Sequence, residues 1–123
     1  MSYELDLPHG LTVITMTGDV TTADFQAYFR DTQEDPDFRV DRHRLVLAQR
    51  ATSFPPSEEI HAISAEIRKR TAQNESRFAI VVDTPLVVGM ANMILAQAGL
   101  IERYETFADE AAARAWIKTG ATP

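Results

Sequence analysis

The chain has 123 residues, of which 45% are hydrophobic and 24% charged, a balance that predicts one globular domain and excludes a disordered chain or a fibre. It contains no cysteine, which excludes disulfides, a thiol nucleophile and cysteine-ligated metal sites. Its formal net charge of −6 repels phosphate backbones and anionic lipid headgroups, so nucleic acid is not an expected partner.

The first residues predict a β-hairpin. Two strand-like runs, 3–7 and 11–17, are joined by Pro8, His9 and Gly10, which have the conformational preferences of a short turn. Because the opening residues hold neither a basic region nor a long apolar stretch, we expect no signal peptide and a cytoplasmic protein.

A capped helix and an inner strand follow the hairpin. Thr21 and Asp24 have the spacing of a capping box, and the helix that they open is predicted to run to about Glu34. After a polar loop, the apolar run 45–48 does not alternate with polar residues. This pattern is typical of a strand that is buried on both faces.

The second helix is predicted to begin after the proline-containing loop 52–56. Ser57 is the expected N-cap, with Glu58 and Glu59 in the first turn, where acidic side chains favour a helix. Its apolar stripe fades into a polar stretch that starts at Thr71.

The basic residues in the middle of the chain form two groups. Arg39, Arg42 and Arg44 precede the inner strand and are predicted to lie in a solvated loop. The second group, 68–70, is predicted to complement the C-terminus of the second helix. Anion binding is the alternative for either group.

The strongest strand pattern, 78–82, leads directly into a third helix. Thr84 and Pro85 predict the helix start, with Asp83 helping to cap it, and Gly99 predicts its end. Asp83 also follows a buried strand at the edge where open α/β sheets place active groups. Capping is the main interpretation of Asp83 and catalysis is the alternative.

A last strand over 104–107 and a last helix opened by Asp109 complete the pattern. The predicted inner face of that helix is Ala112, Ala115, Trp116 and Ile117. The order β-β-α-β-α-β-α-β-α predicts an α/β fold with a small, mostly parallel sheet of four to five strands flanked by helices. We expect a single domain over 1–118 and a flexible tail over 119–123.

Several packing and capping segments also resemble a known family. They are Gly18 at the end of the second strand, the segments 45–50, 57–60, 78–83, 89–91, 104–107, 110–111 and 116–117, and Met93. On these segments nearly the whole chain resembles the SpoIIAA-like (anti-sigma-factor-antagonist-like) proteins of the STAS superfamily. The resemblance implies a small mixed sheet flanked by helices, and none of these segments is a catalytic motif.

The resemblance also implies a possible phosphorylation site. Better-understood relatives carry a phosphorylated serine in an Asp-Ser-Ser-Gly type of motif at the start of the second helix. Ser57 is the positional match, but no aspartate precedes it, no glycine follows it, and Glu58 and Glu59 would repel a phosphate. Ser57 is therefore interpreted as a cap, with a phosphoswitch as the alternative.

The sequence holds no arrangement that predicts catalysis. His9, His43 and His61 lack the paired spacing of metal ligands, and no phosphate-binding loop or nucleophile elbow is present. Asp83 and Ser57 could frame a site at one sheet edge, yet nothing supplies a base, an orienting group and an oxyanion hole together. We expect no enzymatic activity, no metal and no cofactor.

The third helix, 85–98, carries no charged residue and is too short to span a bilayer, which takes about 20 residues. One stripe, Val87, Ala91, Ile94 and Ala98, is predicted to pack on the sheet, with Gly89 permitting close approach. A second stripe, Leu86, Met90, Met93 and Gln97, needs a cover. The last helix with Leu100 and Ile101, a second copy of the chain, or an apolar ligand could supply that cover.

The leading hypothesis is a non-enzymatic protein-interaction or regulatory module that forms a homodimer through the second stripe, with an unidentified protein partner as a further possibility. The alternative is a carrier of a small apolar or lipid-like ligand beside helix 85–98, because related folds of the wider superfamily bind lipids in a cavity under a helix. A phosphoswitch at Ser57 is the weaker alternative.

Overall fold

The computed structural model describes residues 1–119, which form five strands and four α-helices in the predicted order. The strands are β1 (Ser2–Asp6), β2 (Leu11–Asp19), β3 (His43–Ser53), β4 (Phe78–Val81) and β5 (Tyr104–Phe107). The helices are α1 (Thr22–Glu34), α2 (Ser57–Thr71), α3 (Pro85–Gln97) and α4 (Glu110–Thr119). The α/β fold class is confirmed. Residues 120–123 of the predicted tail lie outside the described residues.

The order of the strands in the sheet is the same as their order in the chain. β1 is antiparallel to β2, with Gly10 at φ +66° in the turn between them, and all the other neighbouring strands are parallel. Parallel crossovers are right-handed, and here each moves one strand in the same direction. This places α1, α2 and α3 on one face of the sheet.

The three-helix face holds the larger part of the core. Ile14, Val46 and Ile80 are neighbours in the register of β2, β3 and β4. Each of the covering helices contributes buried side chains that pack against this row: Phe25 from α1, Ile60 and Ile63 from α2, and Val87 and Ile94 from α3. Burial of this apolar surface is the main force that holds the helices on the sheet.

The opposite face of the sheet is covered by α4. Ala113 and Ile117, four residues apart on one side of the helix, are buried against strand residues such as Leu45. The predicted inner face is therefore wrong for Ala112 and Ala115, which are exposed, although Ile117 is buried. The predicted helix start is confirmed, because Asp109 Oδ1 accepts a hydrogen bond from the Ala112 backbone N–H at 2.8 Å.

The helix starts agree only in part with the sequence patterns. The capping box of Thr21 and Asp24 is present with both of its hydrogen bonds. Ser57 is not a cap: it is the first helical residue of α2, and the N-cap position is Pro56, which has no side-chain bond to offer. Asp83 does not cap α3 either, because Thr84 occupies the N-cap and its hydroxyl accepts from the Val87 N–H.

The strand β3 is longer than predicted. Its 11 residues extend well beyond the apolar run 45–48, so Thr52 and Ser53 belong to the strand rather than to the loop. The reason is pairing with the long strand β2, which gives this polar segment backbone hydrogen-bond partners and overrides its local preference. None of the four helices within residues 1–119 is long and apolar enough to cross a membrane.

Candidate functional site

An apolar cavity of about 80 Å³ lies between the sheet and the three helices α1, α2 and α3. Strand side chains such as Ile14, Val46 and Ile80 form its floor, and Phe25, Ile67 and Ile94 are among the helix side chains that cover it. A cavity of about 150 Å³ holds benzene, so this one has room for a group of roughly three or four carbon atoms. It is a preformed apolar site of small size.

Two small side chains help to leave this space open. Ala48 on β3 and Ala91 on α3 both line the cavity. Other residues that line it from the same elements, such as Val46 and Ile94, have larger apolar side chains. A longer side chain at either residue would extend into the cavity.

The inner stripe of α3 lies where the sequence predicts. Val87, Ile94 and Ala98 are buried, and Ala91 packs against the same core. The expectation that Gly89 permits close approach to the sheet is wrong, because Gly89 is exposed and a Cβ there would meet no atom within 4 Å. Gly89 therefore has no packing role in the chain.

The outer stripe of α3 is only partly covered by the chain itself. Leu86 is 59% exposed, whereas Met90 and Met93 are half-buried and pack against the core, and Gln97 is half-buried. The last helix does not cover this stripe, because α4 lies on the other face of the sheet. Leu86 is therefore the most exposed member of the stripe.

Arg44 is the one strongly buried cation at the cavity, with 2% of its surface exposed. Side chains alternate along a strand, so Arg44 lies on the same helix-covered face of β3 as Val46. Its Nη1 donates hydrogen bonds to the backbone oxygens of Val40 (2.7 Å) and Arg42 (3.0 Å) and to Ser76 Oγ (2.8 Å). These bonds hold the guanidinium against the loops that precede β3 and β4.

The charge of Arg44 has no acidic partner in the described part of the chain. Burial lowers the pKa of Arg44, and the nearby Tyr28 hydroxyl partly opposes this effect. The other groups that act on its pKa are two further cations, Arg70 and Arg103. The guanidinium also lies 5.2 Å from the ring centre of Phe78, so its surroundings are aromatic and cationic rather than acidic.

Arg70 lines the same cavity and joins α2 to α1. Its side chain is 10% exposed, and it donates to Thr32 Oγ1 and to the Phe29 backbone oxygen, both at 2.7 Å. Nε donates to Glu66 Oε2 at 3.0 Å, and the guanidinium lies 4.8 Å from the Phe29 ring centre. Glu66 is the only carboxylate within ion-pair distance of either arginine in residues 1–119.

Arg103 is a third cation, next to Arg44, and does not line the cavity. It donates to the backbone oxygens of Ser76 (2.9 Å) and Thr71 (3.2 Å) and to Asn74 Oδ1 (3.1 Å). Ser76 Oγ accepts from Arg44 at 2.8 Å and from Arg103 at 3.3 Å, so one hydroxyl joins the two arginines. Burial also raises the pKa of Tyr28, while Arg44 and Arg70 act in the opposite direction.

The burial of Arg44 and Arg70 was not predicted. The predicted solvated loop is wrong for Arg44, since Arg44 belongs to β3 and is buried. The alternation of Arg44 with Val46 was the available signal. For Arg70, the signal was its position three residues after Ile67, on the inward-facing side of α2.

The other sequence-predicted residues lie away from the cavity. Ser57 and Asp83 are exposed and follow the carboxyl ends of β3 and β4, and neither lines the cavity. Ser57 as a phosphoacceptor stays a prediction. His43 Nδ1 accepts a hydrogen bond from the Arg77 backbone N–H at 2.9 Å, and burial lowers the pKa of His43. No group of three or more possible ligand side chains for a metal is present in the described residues.

Comparison with known proteins identifies one family, and its match covers most of the fold. The family model described as SpoIIAA-like matches residues 11–118, which include every strand except β1 and all the residues of the cavity wall except Met1. No curated protein matches the chain. The resemblance drawn from the sequence segments is confirmed.

Proposed function

Since the chain belongs to the SpoIIAA-like family of STAS-type domains, which suggests regulation or protein interaction, we propose that it is a non-catalytic module that binds a small apolar ligand between its sheet and helices α1–α3. The observation that supports this function is the preformed apolar cavity of about 80 Å³. This reverses the order of the two leading hypotheses, because the cavity is a specific feature that favours the carrier.

An apolar ligand would bind because it restores packing contacts that the side chains around the cavity lack. Side chains that border an empty apolar space lose dispersion contacts on one side, and an apolar ligand restores them. Each buried methylene group contributes about 0.8 kcal/mol, so the small volume limits the part of the ligand that can be enclosed. A ligand with a short apolar chain fits this limit.

The methionines allow ligand binding to be observed by site. Met1 and Met16 line the cavity, whereas Met90 and Met93 on α3 do not. With methyl-labelled methionine, we expect 1-butanol, whose chain matches the cavity volume, to shift the Met16 NMR signal and to leave the Met90 and Met93 signals nearly unchanged. If saturating 1-butanol does not shift the Met16 signal, the proposed function is wrong.

Filling the cavity gives the matching mutational prediction. Ala48→Leu adds three carbon atoms at the cavity wall and is expected to weaken 1-butanol binding by at least about tenfold. Ala62→Leu, at an exposed position of α2, is the control and should leave the affinity unchanged. Affinities are read from the NMR titration, and equal affinities in both variants would contradict the assignment of the cavity as the site.

Self-association through α3 is a second candidate, because Leu86 is 59% exposed on a helix that has no charged side chain. If a second copy covers Leu86, Leu86→Lys should raise the dimer dissociation constant by at least about tenfold, as expected for a charge placed in an apolar interface. Leu7→Lys is the matched control, since Leu7 is similarly exposed in the hairpin turn. Sedimentation velocity over a dilution series measures the effect, and a monomeric wild type at all concentrations rules out this candidate.

A further inference from the structure

The loop 72–77, between α2 and β4, is tied to β3 through its last residue, Arg77. The Arg77 backbone N–H donates to His43 Nδ1 at 2.9 Å, and the Arg77 backbone oxygen accepts from the Arg44 N–H at 2.8 Å. The first of these bonds depends on an imidazole, which titrates near neutral pH. We propose that His43 is a pH-sensitive switch: the neutral ring holds the loop on β3, and the protonated ring releases Arg77.

The direction of the hydrogen bond fixes the protonation state of His43. A backbone N–H can only donate, so His43 Nδ1 is the acceptor and the neutral ring carries its proton on Nε2. In the imidazolium both ring nitrogens carry protons, and neither can accept a hydrogen bond. Protonation of Nδ1 therefore replaces this hydrogen bond by two N–H donors that face each other.

The charges around His43 oppose its protonation. Burial of the half-buried ring lowers the pKa of His43, and three arginines lower it further. These arginines come from β3 itself and from the loops before β4 and β5: Arg44, Arg77 and Arg103. No carboxylate in residues 1–119 is among the groups that act on this pKa. The closed form, with Arg77 bonded to His43, therefore favours the neutral ring.

The elements on the other side of His43 supply no unpaired acid. His43 shares a surface groove with the hairpin turn between β1 and β2 and with the C-terminal half of α4. The acid of that groove, Asp6, already has two partners: His9 Nδ1 lies 2.9 Å from its Oδ1, and Arg114 Nη1 donates to its Oδ2 at 3.1 Å. The other charged residue that lines the groove is the cation Lys118. A protonated His43 would gain no free carboxylate there.

Release of Arg77 affects the buried arginines through Ser76, the residue before it. Ser76 is 1% exposed, and its Oγ accepts from Arg44 at 2.8 Å and from Arg103 at 3.3 Å. The Arg77 guanidinium also lies 5.8 Å from the ring centre of Trp116 on α4. The switch would therefore loosen packing on both faces of the sheet, at the end where β3 and β4 begin. It does not depend on what the cavity binds.

Amide hydrogen exchange at Arg77 tests the switch directly. NMR gives the protection factor, which corrects for the intrinsic effect of pH on exchange, at pH 7.5 and pH 5.0. Because the pKa of His43 is lowered in the closed form, the stabilisation is complete above about pH 6.5, the ordinary pKa of histidine, and is lost as the pH falls toward the lowered value. We expect the protection factor of Arg77 to fall at least about fivefold over this range.

His43→Asn separates the switch from general effects of acid. The side-chain oxygen of asparagine can accept a hydrogen bond at about the position of Nδ1 but does not titrate. We expect the Arg77 protection factor of this variant to change by less than about twofold over the same pH range. His61→Asn, at an exposed position of α2, is the matched control and should keep the wild-type fall.

Two results would overturn the proposal. One is a wild-type protection factor of Arg77 that changes by less than about twofold between the two pH values, and the other is a fall in His43→Asn as large as that of the wild type. If His43→Asn does not fold, NMR titration of the histidine rings in the wild type decides the question. The His43 ring should titrate below about pH 6.5, and a midpoint at or above that value contradicts the switch.

Discussion

Replacement of Arg44 by alanine is expected to lower the free energy of unfolding by about 3 kcal/mol. The change removes three hydrogen bonds, to the backbone oxygens of Val40 and Arg42 and to Ser76 Oγ. It also removes the buried stem of a side chain that lies against the ring of Phe78. Urea denaturation followed by far-ultraviolet circular dichroism gives the value.

Arg39→Ala provides the comparison for this large effect. Arg39 pairs with Asp41 at 3.0 Å, but its side chain is 65% exposed, and such surface pairs contribute about 0–1 kcal/mol. Arg44→Met adds a second comparison, because methionine keeps an apolar stem without the charge. If Arg44→Ala and Arg39→Ala lower the free energy of unfolding equally, the three hydrogen bonds of Arg44 do not stabilise the fold as expected.

Leu45→Ala is expected to lower the free energy of unfolding by about 3–4 kcal/mol, within the range for truncating a fully buried leucine side chain. Leu45 lies on the central strand β3, has no exposed surface, and packs in the cluster that includes Ala113 and Ile117 of α4. The cavity left by alanine would weaken the contact between α4 and the sheet. Thermal or urea unfolding measures the change.

Leu47→Ala is a close control, because Leu47 is on the same strand and the same face, two residues further along. Leu47 is only half-buried, so its truncation is expected to cost about 1 kcal/mol. If the two substitutions lower the free energy of unfolding by similar amounts, α4 covers the sheet at Leu47 as fully as it does at Leu45.

Local patterns predicted most of the fold. The order of the elements, the capping box of Thr21 and Asp24, and the inner stripe of α3 follow from short-range chemistry that is complete within a few residues. The predicted family agrees with the matched residues 11–118. These features are predictable because each depends on neighbours that the sequence places side by side.

The failures concern features that depend on distant partners. The end of β3 is polar and becomes strand because β2 continues beside it. The arginines at the cavity are buried because acceptors come from other elements: Ser76 from the loop before β4 for Arg44, and Phe29 and Thr32 of α1 for Arg70. From sequence alone, a charged residue is predicted to be solvent-exposed, because the acceptors that would allow its burial are not known.

The candidate site is harder to predict than the fold for the same reason. The cavity exists because the residues of three helices and three strands do not fill the space between them, and no single segment carries that information. Ala48 and Ala91 are ordinary core residues in their own segments. Only their common position at the cavity wall gives them a relation to a ligand.

The match between strand order and chain order has a consequence for synthesis of the protein. As the chain leaves the ribosome, each new strand finds its sheet neighbour already made, so pairing can proceed from β1 to β5 without waiting for a later segment. One face of the sheet does have to wait for a later segment, because α4 is the last element of the chain and covers it. Leu45 and its neighbours there stay open to water, and to other nascent chains, until the last helix has emerged.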